Sequence, residues 1–486
     1  MTDQRSRFRI LGRTITSMAA IALFTASITA CGDTISGSPL PGEIDVRKLD
    51  TGKYPTEPVD AHDDPIDAPF YDMKQVAGMR VADSVATADE IDPTIKYTLD
   101  KDVSFQPSDG QLDYFGKDLS KVAESNGYLY SFTSAGSSKP LYVSTSTTRW
   151  PTKKELGSTT LASLTLQFPD SDAAKHVAQQ IYDRDLDHFK DKNKPVPLAK
   201  YPSAHSHWNP ESPFMRSTLA HGSYVVVFEI SAPSNDLTIL TNLAEKAYDT
   251  QLPLLDQLPP ITDIQLLSLP WDPDRLVARA MDPLNSGAPA LGDSALNVGL
   301  RGILHVSPDR ATARSSYTAM KAVRFGTYDD TVIVRTENDA SAKRAVTDKL
   351  FPVATTRIVD APPNLPDATC AETSEEFGEA RFDRFMCMVA YHNHVGIVMS
   401  DQLVDVHQRA TAQYSILANA RLQPRTLWSG PNTEAMNNGT EPRHRHRRIS
   451  DREGARCGRH GSRVSGQTSE PASNGRSEGA ELRALP

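Results

Sequence analysis

The chain has 486 residues, 38% of them hydrophobic and 23% charged, enough for two or three domains of ordinary size. Its formal charge of −9 is unevenly spread: residues 1–30 carry +3 (four Arg, one Asp) and residues 429–486 carry +3 (ten Arg, seven acids), which leaves −15 on residues 31–428. So acidic a body argues against nucleic acid as a partner, because phosphate contacts supply most non-specific affinity, and beyond residue 30 no apolar run is long enough to span a bilayer.

Arg5, Arg7, Arg9 and Arg13 precede the largely apolar run Ile15 to Ala30, the charged and hydrophobic regions of an export signal. The run ends Ile28-Thr29-Ala30-Cys31, which resembles the lipobox of bacterial lipoproteins. In that motif a thiol accepts a diacylglyceryl group, and small residues before it fit the signal peptidase. The resemblance implies that residues 1–30 are a lipoprotein signal peptide and that Cys31, once acylated, holds the mature chain to membrane lipid on the extracytoplasmic face. The plainer alternatives are an ordinary secretory signal with a chance cysteine, or an uncleaved anchor. Without an Arg-Arg pair, general secretion fits better than twin-arginine export. Residues 31–43, rich in Gly, Ser and Pro, read as a flexible tether.

Several stretches carry a wider likeness. Ile44 to Pro58, Ala77-Gly78-Met79-Arg80-Val81-Ala82-Asp83, Glu90-Ile91-Asp92-Pro93, Pro195 to Trp208 and the Cys370/Cys387 region resemble an uncharacterised family of lipoproteins from mycolic-acid-bearing actinobacteria, a domain of unknown function. The resemblance covers about residues 31–420. It implies a lipid-anchored protein of the cell envelope and no particular activity.

From Tyr128 onward the periodicities predict elements. Residues 140–149 and 161–168 read as strands, and Ser171 or Asp172 opens a helix with Ala174, Val177, Ala178, Ile181, Leu186 and Phe189 on one stripe. Strands near 195–201 and over Tyr224 to Ile230 follow, then a helix opened by Asn235 or Asp236 and ended by Pro253. This β-β-α-β-β-α order predicts an α+β domain, a sheet with helices on one face. The second half reads as a repeat: a helix from Ser307-Pro308 to about Phe325, a strand over Thr331 to Arg335, a helix capped by Asn338 or Asp339, strands near 356–360, over Met386 to Ala390 and over His394 to Met399, then a helix from Gln402 to Asn419. The register sets Asp172 against Asp339 and Tyr224 against His394, as a divergent duplication would; convergence is the alternative. The domains predicted are 44–255 and 291–425, with the Pro-rich stretch 256–290 between them as a linker.

Residues 426–486 form a basic tail whose composition cannot bury enough surface to fold, so it reads as disordered. The family pattern stops just before Ser429, where Arg, Gly, Ser, His and Pro come to dominate, and a shifted reading frame in GC-rich DNA is one origin of such a composition. Of four cysteines, Cys31 serves the lipid and Cys457 lies in the tail. Cys370 and Cys387 remain to form a disulfide in an exported protein, the alternative being two buried thiols.

No Gly-x-Ser-x-Gly, Gly-x-x-x-x-Gly-Lys-Ser/Thr, Gly-x-Gly-x-x-Gly or His-Glu-x-x-His motif occurs, so nothing in the sequence points to catalysis or calls for a cofactor. His205/His207 and His392/His394 each place two imidazoles on one face of an extended segment, the arrangement that lets two metal ligands converge. Partly exposed strand and turn histidines are the plainer account of both pairs. His62-Asp63-Asp64 and Asp92 lack the glycine turn of a calcium loop, and Trp150, Trp208, Trp271 and Trp428 read as lids on the core. The expected function is a non-enzymatic envelope protein that binds a ligand or protein partner; the alternatives are an envelope hydrolase with its site between the domains and a structural assembly factor.

Overall fold

The computed structural model describes residues 44–59, 70–99, 103–140, 157–284, 295–373 and 383–420. Cys31, the tether, His62 to Asp64, the expected strand over 141–149, Trp150, Trp428 and the tail from 426 lie outside them.

In the first half α1 (Phe70–Ala82) and α2 (Ala88–Ile91) lead into β1 (Tyr97–Thr98). There follow α3 (Asp109–Tyr114), α4 (Leu119–Ser125), β2 (Tyr130–Ser137), β3 (Thr160–Gln167) and α5 (Ser171–His188). The half closes with β4 (Lys194–Pro195), β5 (His205–Asn209), β6 (Phe214–His221), β7 (Tyr224–Ser231) and α6 (Leu237–Leu255). After α7 (Asp263–Leu266) the second half runs through β8 (Leu296–Val298), α8 (Leu300–Val306), α9 (Arg310–Ala319), β9 (Ala322–Tyr328), β10 (Thr331–Thr336) and α10 (Asp339–Thr347). It ends with β11 (Thr355–Val359), β12 (Ala368–Thr373), β13 (Phe385–Tyr391), β14 (His394–Ser400) and α11 (Leu403–Asn419).

Each half is an antiparallel seven-stranded sheet with helices. The first sheet has the order β1-β2-β3-β7-β6-β5-β4, and the second, read from β8, has the order β8-β9-β10-β14-β13-β12-β11. The two orders are identical strand for strand, and α5 and α10, like α6 and α11, occupy matching places in the chain. The β6–β7 hairpin closes on the pair His221/Tyr224 and the β13–β14 hairpin on Tyr391/His394, each across two residues, so Tyr224 and His394 are equivalent. The halves are therefore topological duplicates.

Helices cover both faces of each sheet, not the one face expected. On β7 every residue is buried: Val225 and Val227 pack with α3, α4 and α5, while Val226, Phe228 and Ile230 face α6. A strand buried on both sides is apolar throughout, so its sequence does not report that a second helical layer exists. The helix expected from Ser307 to Phe325 stops at Ala319, because Lys321 turns the chain with a φ of 53° and Ala322 starts β9. The caps are close to those expected: Asp170 bonds the amides of Asp172 and Ala173, and Asn338 bonds that of Ser341.

Residues 44–58, grouped by sequence with the first half, pack on α11 of the second. The Tyr54 hydroxyl donates to Asp405 at 2.5 Å, Thr411 donates to the Asp50 carbonyl at 2.5 Å, and Asn419 donates to the Thr56 carbonyl at 2.9 Å. Residues 50–56 are thus tied to α11 of the second half.

Cys370 and Cys387 are joined directly across β12 and β13, with Cα atoms 4.1 Å apart. Counted from the hairpin, the same cross-strand position in the first half holds Ser206 and Ser217, whose buried hydroxyls lie 2.7 Å apart. The disulfide closes a loop of 17 residues, for which the chain-entropy estimate is about 3 kcal/mol. The double variant Cys370→Ala/Cys387→Ala should lose roughly that much unfolding free energy in a urea titration; an unchanged midpoint and slope would show that the bridge adds nothing to stability.

Candidate functional site

The halves meet through a shared core and a set of charged clasps. Asp83, at the end of α1, bonds the amides of Gly299 (2.8 Å) and Gly302 (3.1 Å) at the start of α8 and the Arg324 guanidinium (3.0 Å). Arg301 grips Glu90 through Nε (2.9 Å) and Nη2 (3.0 Å), and Arg314 grips Asp89. A Cβ on Gly302 would stand 2.8 Å from the Asp83 Oδ1 atom, so a glycine is what lets the carboxylate reach the helix. A Cβ on Gly78 would likewise run into the Phe105 carbonyl, so this glycine lets α1 lie directly on residues 103–106.

Between the clasps lies a buried histidine. His305 Nε2 is 3.2 Å from the Ala82 carbonyl and 3.1 Å from that of Val85. Since carbonyls only accept, Nε2 carries the proton, and Nδ1 accepts the Ser134 hydroxyl at 2.6 Å. Burial, reinforced by the charge of Arg310, pushes the His305 pKa down to about 3. The Ser134–His305 pair has the composition of an activated nucleophile, yet both residues are buried and the ring packs against Phe132, 4.9 Å between centroids. It is a polar bolt between β2 and α8.

The duplicated sheets expose a difference in their interiors. In the first half Arg216 lies opposite Glu229 and is bonded to Glu229, Asp185 and the Tyr114 carbonyl. His207 Nε2 is 3.3 Å from Asp185, and the Lys117 amide donates to the same carboxylate at 2.8 Å. Burial raises the Glu229 pKa against the pull of Arg216. At Asp185 burial is outweighed by His207 and Arg216, and the pKa is lowered. This network fills the space between the first sheet and α5.

In the second half the positions equivalent to Arg216 and Glu229, five residues out from the hairpin, are Met386 and Met399; that of His207 is Ala371. With the charged side chains gone, a cavity of about 500 Å³ remains, lined by these two methionines, Val332 and Ile397 from the sheet, Ile303, Val306 and Tyr317 from α8 and α9, and Val353. Gln75 of α1 and residues 103–106 complete its wall, so both halves contribute. The volume lies in the range of small-molecule sites, and the lining is mostly apolar. Burial raises the Tyr317 pKa, which keeps the phenol neutral.

The sequence-nominated residues fall elsewhere. His205 and His207 do share a face of β5, against the Tyr182 ring, but His207 is engaged with Asp185, and among the described residues no third ligand group joins them. His392 and His394 do not share a face of an extended segment: His392 has a φ of 48° in the hairpin turn, with Nδ1 3.1 Å from Asp339, while His394 begins β14. Burial holds the His394 pKa down to about 4. Among the described residues, the cluster with metal-ligand composition is Cys370, Cys387 and His407, whose two sulfurs are already spent in the disulfide. Asp92 caps its own turn by accepting from Thr94. Trp208 and Trp271 are half-buried against the core. The cavity residues escaped the sequence reading because methionines and valines at strand spacing look like any core; the one available signal was the loss of Arg216 and Glu229 across the repeat.

Two topologically identical α+β halves, one filled by an ionic network and the other hollow, define a duplicated two-domain protein with a cavity at its junction. The chain belongs to the family described as a domain of unknown function, DUF7373: the N-terminal model matches residues 66–271 and the C-terminal model residues 275–420. Among solved structures, the extracellular domain of PknH from Mycobacterium tuberculosis matches at 9% identity, over 37% of this chain and 96% of that chain, with a TM-score of 0.24, too slight to bear on function. No curated protein matches the sequence.

The His305 bolt makes stability depend on pH with a definite sign. The folded-state pKa lies below that of the unfolded chain, so the unfolded chain binds the extra proton and stability falls as pH drops from about 6.5 towards 3. At pH 4 the loss from this group is about 3 kcal/mol. Chemical denaturation at pH 7 and pH 4 should show a larger drop for the wild-type chain than for His305→Gln; equal drops would mean that His305 is not the group responsible.

Proposed function

We propose that the protein is a cell-envelope lipoprotein, held to the extracytoplasmic face of the membrane through acylated Cys31, that binds a small apolar ligand in the junction cavity. The observation that carries the ligand reading is the cavity itself: a repeat that is solid in one half is hollow in the other, where Met386 and Met399 stand in place of Arg216 and Glu229. Thioether side chains are flexible and polarisable, suited to a surface that adapts to an apolar guest.

The anchor reading rests on Ile28-Thr29-Ala30-Cys31 behind a charged and apolar leader, followed by the Gly/Ser/Pro-rich residues 32–43. No helix among the described residues is long and apolar enough to cross a membrane, and an acylated cysteine is an attachment that needs none. Nucleic acid is not among the partners proposed, given the charge of −15 on residues 31–428. The hydrolase alternative draws no support from Ser134 and His305, which are enclosed in the core.

Feeding cells an alkyne-tagged palmitate should label the wild-type chain and not Cys31→Ser, which should leave the membrane fraction; equal labelling would overturn the anchor. Native mass spectrometry of the wild-type chain from its own host should show a stoichiometric, solvent-extractable small molecule, and a chain that is consistently empty would overturn the ligand reading.

A further inference from the structure

The walls of the cavity restrict what charge a guest can carry. Its lining contains neither Lys nor Arg nor His, and its one carboxylate is that of Asp329, half-buried in the turn between β9 and β10. An anionic headgroup placed there would lose water, meet no cation and face a like charge, and an uncompensated buried charge is the costliest group to enclose. The cavity nevertheless offers polar contacts. The Gln106 side-chain amide nitrogen is buried with no hydrogen-bond partner, and Tyr317, which carries a hydroxyl, lines the same cavity. Both groups donate, and a buried donor left unmatched is a standing penalty that an acceptor on the guest would relieve.

Resting on the ligand reading above, we infer that the junction cavity takes an uncharged acyl ester whose carbonyl oxygen meets Gln106 or Tyr317 while its hydrocarbon lies on Met386, Met399 and Ile397. Free fatty acids and anionic phospholipid headgroups are excluded by the same walls. The chemistry also assigns the two halves different work: the ionic network of the first keeps its sheet solid, and the apolar substitutions of the second make room for the chain.

The test compares a pyrene-labelled dodecanoate methyl ester with the corresponding free acid, each titrated at pH 7.4 into the purified full chain. The ester should bind at least tenfold more tightly than the acid. Gln106→Leu should weaken the ester about fivefold, the equivalent of one hydrogen bond. Val353→Trp, which fills the cavity, should abolish binding while leaving the circular dichroism spectrum unchanged, and Val306→Phe serves as a second filler if the first does not fold. Acid binding as tight as ester binding would overturn the charge argument while leaving a ligand cavity in place. Ester binding that survives both fillers would put the site elsewhere. Failure of both probes to bind would overturn the acyl assignment, whereas the ligand reading itself stands or falls on the native mass spectrum.

Discussion

The contact on which the rest of the structure depends is the Asp83 carboxylate seated on the first amides of α8. It joins two sheets that share no strand, and it does so at a helix start where orphan amides and the positive end of the helix favour a carboxylate. Arg324 on the same carboxylate, with Arg301 on Glu90 and Arg314 on Asp89, extends the contact into a charge-assisted network whose acids all come from the first half and whose arginines all come from the second. Held this way, α1 delivers Gln75 and residues 103–106 to the face of the second sheet, and the cavity acquires its far wall.

Duplication explains why such a cavity can exist. A two-layer or three-layer unit that already folds can lose its internal ion pairs in one copy without losing its topology, because strand order and caps are set locally while the filling of the interior is not. Arg216 and Glu229 in one copy, Met386 and Met399 in the other, mark the exchange. The Ser206–Ser217 hydrogen bond and the Cys370–Cys387 disulfide mark a second exchange on the opposite face, where a cross-strand bond strengthens the half that has been hollowed.

The stretches Ala77 to Asp83 and Glu90 to Pro93, on which the family likeness rests, contain the clasp residues Asp83 and Glu90 and the close-approach residue Gly78. Their role is to hold the halves together. Ile44 to Pro58 likewise ties the start of the described chain to α11. A pattern of this kind describes an architecture.

Much of this was legible in the sequence, and the limit is physical. A helix start within two residues of Asp170, the one at Asn338, the strands around Tyr224 and His394 and the register of the repeat follow from local spacing, because capping, alternation and turn formation act between residues close in the chain, while the pairing of Cys370 with Cys387 follows from elimination among the four cysteines. Ser134 and His305, 171 positions apart, and Asp83 with Gly299, 216 apart, carry no local signature of their meeting. A cavity has still less, since its walls consist of ordinary apolar residues whose distinction is only that nothing fills the space between them. Sequence by itself determined part of the helices and strands and pointed to the repeat and the disulfide; tertiary structure alone decided which faces meet, because burial and long-range electrostatics depend on where the chain returns and not on the order in which it is written.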